Sequence, residues 1–211
     1  KLNRPIIIEN KRIEPCHIYI EMMLPGMHNI YNALVAITIA LAYGIRPDTI
    51  QKFFKNYPGV WRRLQLIYNN DFTIIDDCAH NPGSYKAVFA AVSNLNYNKL
   101  FIINSLRGNR GTTINIENAR TISSQLNKIK KYKLFTSNCN DVVKKIDLVS
   151  AEEEKGFLNT LNRNNIHYVH FQLLQPALET VLKEIKKDDL LLLLGPHAMD
   201  SAGNMILDMI Q

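Results

Sequence analysis

The feature that most constrains the fold of this chain is a regular alternation of short apolar runs and helical stretches between residues 64 and 211. Two of the runs, LFIIN and LLLLLG, are solidly apolar, as strands buried on both faces should be. Strands that alternate with helices predict a mostly parallel sheet covered on both sides, which is a doubly wound, Rossmann-like α/β fold. The candidate strands are LQLIY, FTIID, KLFIIN, YKLFT, HYVHF and DLLLLLG, and the candidate helices lie at 83–95, 115–129, 151–163, 175–186 and 201–210.

Residues 1–57 follow a different pattern. IIIEN and CHIYIE read as short strands, with a turn at KRIEP between them. Apolar residues at helical spacing after Pro25, with many alanines, predict a helix that is buried over most of its surface and ended by Gly44. A second helix opens at Pro47 and continues through Phe54. We therefore expect a partial α/β unit whose exposed apolar surface marks a missing partner.

Composition narrows the functional classes. The chain has 211 residues, 46% of them hydrophobic, and no apolar run approaches the roughly 20 residues that span a bilayer. Three separated cysteines without CxxC pairs argue against disulfide or cysteine-zinc scaffolds and favour a cytoplasmic location. The net charge of +6 is concentrated in the first third, where scattered basic residues favour a phosphate-bearing small ligand over nucleic acid. His80 and His197 lack a second ligand at helical spacing, so no metal site is predicted on them.

The strand ends carry the candidate chemistry. Ligands of doubly wound sheets bind outside the carboxyl ends of the strands. Asp76, Asp77 and His80 follow one strand, and they read either as ordinary turn chemistry or as part of a ligand site. Arg107 and Arg110 flank a glycine after another strand, where the backbone can approach a ligand and arginine can hold phosphate or ribose. No GxxxxGK[ST] motif occurs, so the chain lacks the P-loop that commonly binds the phosphates of ATP.

Two pairs of polar residues in the first 65 residues each have two possible roles when the pair is considered by itself. Asn29 and Asn32 share a helix face and suit a base, a phosphate or a metal-bound water, or they are an N-cap and a solvated first-turn residue. Arg62 and Arg63 suit bidentate phosphate contacts, or they form an exposed basic linker anchored by Trp61.

Taken in order, four motifs resemble the Mur ligase superfamily, which includes the peptidoglycan Mur ligases, folylpolyglutamate synthase and the ligase half of cyanophycin synthetase. LPGMHNIYNAL resembles its G-x-HN-x-x-N-A-L segment, late in the central ATPase domain. PGVWRRLQ resembles the junction motif G-x-x-x-R-[FLM]-[EQ]. IIDDCAHNP resembles D-x-AH-[NT]-P, and RGNRG resembles the G-D-R-D loop. The remainder of the chain matches the family in architecture only.

The resemblance implies an ATP-dependent ligase that activates a carboxylate as an acyl phosphate, which an amine then attacks to form an amide. ATP and Mg²⁺ are the implied cofactors, and small-molecule carboxylate and amine substrates are the implied partners. By matching position, Asn29 would lie near the nucleotide and its metal, with Asn32 beside it, and Arg63 would contact ATP phosphate. Asp77 would hold the ribose hydroxyls, His80 would start the helix and line the cleft, and Arg110 would lie beside the nucleotide. His197 and Asp200, after the last strand, are further candidates for contact with the substrate.

The departures from the family pattern matter as much. The P-loop, the metal-binding Glu and His, and the acyl-substrate domain precede Lys1 in the family's order. We therefore expect residues 1–57 to be the end of the central ATP-binding domain, 58–63 the junction and 64–211 the C-terminal domain, inactive without the missing N-terminal part. RGNRG has Asn109 and Gly111 where acids are usual. TSNCND replaces the D-N-P-R signature of diaminopimelate-adding members and LLLLGPHAMD replaces G-K-G-H-E, so cell-wall, folate-type and poly-amino-acid substrates all stay open.

Two other functions remain as alternatives. One is a stand-alone α/β module that binds a nucleotide or an acidic metabolite through its arginines without chemistry. The other is a dinucleotide-binding oxidoreductase domain, which is disfavoured because no GxGxxG follows a strand.

Overall fold

The computed structural model of the chain describes residues 1–8, 11–22, 24 and 26–210, with only the backbone described at Lys11 and His28. The end of the predicted strand IIIEN, Glu9 and Asn10, and Pro25 of the first motif lie outside the described residues. The chain divides into two compact units, Lys1–Gly59 and Val60–Gln211. Among the described residues, no helix is both long enough and apolar enough to cross a membrane.

The first unit contains a two-stranded antiparallel ribbon and two helices. Strand β1 (Ile6–Ile8) pairs with β2 (Lys11–Ile13), and helices α1 (Met27–Ala42) and α2 (Pro47–Asn56) follow. The predicted turn at KRIEP is therefore wrong, because its first three residues form β2. The predicted strand CHIYIE is also wrong: Cys16 forms only an isolated bridge with Leu2. The apolar alternation of this segment instead packs Ile18 and Ile20 against the cluster formed by the helices, without a partner strand.

Helix α1 departs from its prediction in burial. It ends as expected, since Gly44 has a φ of 78° and its N–H donates to the carbonyl of Leu41 at 2.9 Å. Of the described side chains of α1, however, Ala33 alone is buried, and Leu34 and Ile39 are 49% and 53% exposed. The ribbon and α2 are too small to cover this helix. The predicted exposed apolar surface is thus present, and it includes a groove of about 360 Å³.

The second unit is built on a six-stranded sheet in the order β3-β4-β8-β5-β6-β7. Strand β3 is antiparallel to β4, and every other neighbouring pair is parallel. This confirms the predicted mostly parallel, doubly wound sheet. The strands are β3 (Gln65–Asn69), β4 (Thr73–Asp77), β5 (Leu100–Ser105), β6 (Tyr132–Ser137), β7 (Tyr168–Phe171) and β8 (Leu190–Leu194), and the helices are α3 (Pro82–Val92), α4 (Thr112–Leu126), α5 (Ala151–Arg163), α6 (Leu174–Glu184) and α7 (Ala202–Ile210).

The central strand β8 explains why LLLLL is uninterrupted. Leu190, Leu192 and Leu194 pack into the core under α3, α4 and α5, whereas Leu191 and Leu193 pack under α6 and α7. A strand covered on both faces needs an apolar side chain at every position, not at every second one. All five leucines are at most 1% exposed.

The parallel register gathers the strand ends that carry the candidate chemistry. Asp77 of β4 and Asn104 of β5 both pair with Leu194 of β8, and Ser105 pairs with Ser137 of β6. The loops that follow these four strands therefore emerge at one edge of the sheet, which we call the carboxyl edge.

Candidate functional site

A cleft of about 110 Å³ opens at the carboxyl edge. It is formed by the loops after β4, β5 and β8 together with a short 3₁₀ turn before α5. Three of the predicted site residues, His80, Arg110 and His197, line it together, and Arg107 lies beside them. The other lining residues are Cys78, Leu106, Gly108, Asp147, Pro196 and Ala198.

The orientation of His80 is set by backbone contacts. Its Nδ1 lies 2.6 Å from the carbonyl oxygen of Cys78. A carbonyl can only accept, so Nδ1 carries the proton, and in the neutral imidazole Nε2 holds the lone pair. The carbonyl of His80 accepts from Asn118 Nδ2 at 3.1 Å and from Arg107 Nη1 at 3.4 Å.

His80 does not itself begin the following helix. Helix α3 starts at Pro82, and its N-cap is Asn81, whose Oδ1 accepts the N–H of Ser84 at 3.0 Å. The backbone N–H of His80 donates to Ser84 Oγ at 3.0 Å. The expected helix start is therefore displaced by two residues, because Asn and Pro are the better cap and first residue.

The loop that carries Arg107 and Arg110 is fixed by two side chains that sequence reasoning missed. Asn115 of α4 pairs with the backbone of Arg107 in both directions, at 3.1 and 2.8 Å. Glu153 of α5 accepts the backbone N–H groups of Asn109, Arg110 and Gly111 at 3.2, 2.9 and 2.8 Å. The available signal was the S-x-x-E capping box that begins at Ser150.

The environment of Glu153 keeps this carboxylate ionised. Its burial alone would raise the pKa, but the N–H donors of Ser150, Arg110, Asn109 and Gly111 outweigh that effect and hold the pKa below its usual value. Glu153 thus places a negative charge against the backbone of this loop. The loop itself has the uncharged residues Asn109 and Gly111 at the positions where the G-D-R-D motif has acids.

Gly108 is required by a contact within the chain. A Cβ at this position would lie 2.0 Å from the carbonyl oxygen of Asp147, a distance that no side chain tolerates. This contact accounts for the glycine from within the chain, and the interpretation in which glycine allows the backbone to approach a ligand stays a prediction. Arg110 extends from the same loop, 44% exposed, with Nη2 3.8 Å from Asp147 Oδ1.

The adjacent arginines have opposite environments. Arg62 is 1% exposed, and its guanidinium donates to Asp76, to Asp200 and to the carbonyls of Gly195 and Pro196. Arg63 is exposed and does not line the cleft. The interpretation of the pair as an exposed basic linker is therefore wrong for Arg62, which ties the end of β4 to the loop after β8, a role that no local sequence signal indicates.

The two aspartates that follow FTII, Asp76 and Asp77, also have different environments. Burial raises the pKa of Asp76 to about 6, although Arg62 lies 3.0 Å away and acts in the opposite direction. Asp77 is 6% exposed, its Oδ2 accepts the N–H of Leu64 at 2.8 Å, and it does not line the cleft. It immediately precedes Cys78, which does line it.

Asp200 and His197 form a surface pair beside the cleft. Asp200 Oδ1 accepts from Arg62 Nη1 at 2.6 Å, and His197 Nδ1 lies 3.2 Å from Asp200 Oδ2. The carboxylate of Asp200 is therefore engaged by Arg62 and by His197, and of the two predicted residues only His197 lines the cleft.

Asn29 and Asn32 lie in the first unit, in the first two turns of α1. The helix begins at Met27 with Gly26 as the N-cap, so the interpretation of Asn29 as the N-cap is wrong. The N–H of Asn29 donates to the carbonyl of Gly26 at 3.0 Å. Asn29 is half-buried and Asn32 is exposed.

The donor set of the cleft suits an anion. Two guanidinium groups and two imidazoles face one carboxylate, Asp147, among its lining residues. In the part of the chain that the structure describes, no three His, Cys, Asp or Glu side chains come together as a metal site.

Comparison with known proteins adds independent findings. The family model "Mur ligase, glutamate ligase domain" matches residues 62–197. UDP-N-acetylmuramate--L-alanine ligase of Clostridium tetani is 24% identical over 195 residues, which cover 89% of this chain and 40% of the relative. The chain thus spans less than half the length of such curated relatives.

Two solved structures share the fold. The UDP-N-acetylmuramate-alanine ligase of Thermotoga maritima superposes with a TM-score of 0.66 at 15% identity, over 92% of this chain and 40% of that one. Folylpolyglutamate synthase of Mycobacterium tuberculosis, solved with ADP and AMPPCP, gives a TM-score of 0.65 at 15% identity, over 89% and 41%. At these identities the similarity establishes the fold alone.

Proposed function

The chain belongs to the Mur ligase family, and on this premise we propose that it forms the C-terminal part of an ATP-dependent ligase that joins a carboxylate to an amine. The carboxylate is activated as an acyl phosphate, and the amine displaces the phosphate to form an amide. ATP supplies the phosphoryl group when it is bound. The observation that carries the proposal is the convergence of Arg107, Arg110 and His80 in one cleft at the carboxyl edge.

The arginines hold phosphate oxygens in this proposal. Guanidinium groups make bidentate, charge-assisted hydrogen bonds to phosphate and remain charged at every physiological pH. Both arginines sit on a loop whose backbone is held by Asn115 and Glu153. A loop fixed in this way presents its charges without a large ordering cost, which is the main protein contribution to phosphoryl transfer.

His80 contributes a proton acceptor. With Nδ1–H donated to Cys78, Nε2 is the ring nitrogen that a substrate can use. An amine that attacks a carbonyl carbon must lose a proton, and a neutral imidazole is suited to take it. His197, on the opposite loop, is proposed to contact the substrate with Asp200 orienting its ring.

The size of the cleft sets a limit on what it holds. Pockets for whole drug-sized ligands are typically about 300–1,000 Å³, whereas this cleft is about 110 Å³. It fits a phosphate-sized part of a nucleotide. The ribose is assigned to Asp77, since a carboxylate can accept several hydrogen bonds and Asp77 directly precedes Cys78 of the cleft lining.

The remaining contacts come from the junction and from the first unit. We assign Arg63, exposed at the junction, to ATP phosphate. Asn29, with Asn32 beside it, is assigned to the nucleotide and to Mg²⁺, whose carboxylate ligand in the family precedes the segment that this chain represents. On this proposal, residues 1–57 complete a central ATP-binding domain whose remainder covers the exposed face of α1.

The test is amine-dependent ADP release by the full-length enzyme that contains this chain. The first substrates to assay are UDP-N-acetylmuramate with L-alanine, which the name of the Clostridium tetani relative specifies, followed by folate with glutamate. Arg110→Ala is expected to lower kcat/KM by roughly a hundredfold, as removal of one preorganised donor does. Arg120→Ala, an exposed arginine on α4, is the matched control and should leave it unchanged. Wild-type kinetics for Arg110→Ala would refute the assignment.

A further inference from the structure

A second concave surface lies at the opposite edge of the sheet, where β5, β6 and β7 begin. This basic groove has a volume of about 580 Å³. Four lysines, one histidine and two tyrosines line it, and no function of the cleft uses them. Its lining residues are Lys99, Lys130, Lys131, Tyr132, Lys133, Leu134, His167, Tyr168 and Val169.

The lysines of the basic groove are held on rigid backbone. The N–H of Leu100 donates to the carbonyl of Lys131 at 3.1 Å, and the N–H of Leu190 donates to the carbonyl of Lys99 at 3.0 Å. Leu100 pairs with Tyr132, so Lys99 and Lys131 stand next to each other at the starts of neighbouring strands. Like charges at such positions destabilise a sheet. The fold by itself gains nothing from this arrangement.

Little negative charge balances the groove. Lys133 contacts both carboxylate oxygens of Glu184 at 2.6 Å. Throughout the described ranges, Lys99, Lys130 and Lys131 form no ion pair, and Lys99 Nζ instead lies 4.6 Å from the ring centroid of Phe101. Residues 60–211 carry 18 Lys and Arg against 15 Asp and Glu, so the groove concentrates positive charge on a unit that is otherwise nearly neutral.

The shape and the residue types define the class of ligand. The volume falls within the range of small-molecule sites. A lysine ammonium is a compact point charge that binds phosphate without demanding one geometry. A nucleic-acid surface usually extends as a basic stripe, whereas here the lysines converge on one concavity. Three uncompensated ammonium groups match a ligand with several adjacent negative charges.

We propose that the basic groove binds a small oligophosphate, a ligand with two or more adjacent phosphate groups, at a site separate from the cleft. The phosphates contact Lys99, Lys130 and Lys131, and the side chains of His167 and Tyr168 provide further hydrogen-bonding groups. This site does not depend on the ligase function proposed above, since it lies at the other edge of the sheet.

The experiment is calorimetric titration of the chain with inorganic tripolyphosphate, at about 50 and about 200 mM salt because phosphate contacts weaken with ionic strength. Lys130→Glu/Lys131→Glu should lower the affinity at least about tenfold, since it reverses two of the three uncompensated charges. Lys86→Glu/Lys155→Glu, with the same charge change on exposed helix positions outside the groove, should alter it less than about twofold. Lys130→Ala/Lys131→Ala repeats the test without charge reversal, and thermal unfolding checks that each variant is folded.

A fourth variant separates the two anion sites. Arg107→Ala/Arg110→Ala changes the cleft alone, and tripolyphosphate binding through the groove should survive it. The proposal is overturned if the groove variants bind normally, or if only the cleft variant loses binding. It is also overturned if a single-stranded oligonucleotide binds through the same lysines more tightly than tripolyphosphate, because the site would then be a nucleic-acid surface.

Discussion

The Oε1 atom of Glu153 lies 2.9 Å from the backbone nitrogen of Arg110, so a helix outside the cleft positions an arginine within it. Glu153→Gln keeps the shape but removes the charge and one of the two acceptor oxygens. Hydrogen bonds to charged groups contribute about 1.5–3 kcal/mol each, so we expect the free energy of unfolding to fall by about that amount. Urea unfolding at pH 7 measures it. Glu152→Gln, exposed in the same first turn, is the control and should stay within about 0.5 kcal/mol of wild type.

Alanine substitutions of the two adjacent arginines should have different effects: Arg62→Ala should lower stability, and Arg63→Ala should lower activity. Arg62→Ala leaves Asp76 buried without its ion pair, and loss of one partner of a buried pair costs about 3–5 kcal/mol. Arg63→Ala removes an exposed side chain and should leave stability nearly unchanged, while it sharply reduces activity of the full-length enzyme. Unfolding and steady-state kinetics of both variants decide this. A stable Arg62→Ala protein would contradict the first expectation, and wild-type kinetics for Arg63→Ala the second.

Asp76 should give the stability a distinctive pH dependence. Burial raises its pKa from 3.8 to about 6 against the opposing effect of Arg62, with Asp77 and Asp200 adding to the rise. The folded state therefore binds this proton more tightly than the unfolded state. The stabilisation is complete below about pH 4 and is lost as the pH rises through about 6. The difference in unfolding free energy between wild type and Asp76→Asn should fall by about 2 to 3 kcal/mol from pH 4 to pH 7. If this difference does not vary with pH, the pKa of Asp76 is not raised in the folded state.

The role of Asp77 in nucleotide binding is best tested with a more conservative substitution than alanine. Asp77→Ala would leave the N–H of Leu64, which is fully buried, without its acceptor, at a cost of about 1–3 kcal/mol. Asp77→Asn retains an oxygen for Leu64 and removes the charge, so it should unfold like wild type while the KM for ATP rises in the full-length enzyme. Unchanged kinetics for this variant would remove Asp77 from the nucleotide site.

The 211-residue chain alone should not turn over ATP. The contacts assigned to it are a few charge-assisted hydrogen bonds of about 1.5–3 kcal/mol each, and association costs about 4 kcal/mol or more. Nucleotide affinity should consequently be about millimolar or weaker. Phosphate release by the isolated chain, with and without amine, measures this. Robust turnover would show that the catalytic parts are complete within residues 1–211.

The two units differ in how well local pattern predicted them. All six strands of the large sheet were predicted, and the clearest were those buried on both faces, which must be apolar at every position, as Leu190–Leu194 is. In the first unit the same rules predicted β1 and both helices but failed for the second strand. CHIYIE alternates as a strand does, yet Ile18 and Ile20 pack against a helix pair without a partner strand. Alternation reports which side chains are buried, but not whether the backbone finds a neighbour to pair with.

The sequence by itself determined the order of elements and the edge of the sheet at which His80, Arg107, Arg110 and His197 meet, because apolar periodicity and parallel register follow from the residues along each strand. Only the tertiary structure decided the environments of adjacent residues of the same type. It buried Arg62 and exposed Arg63, paired Asp76 with an arginine and Asp77 with a backbone amide, and brought Glu153 to a loop some forty residues away. The physical reason is that desolvation and hydrogen bonding depend on atoms distant in sequence, and these set the charge and role of each side chain.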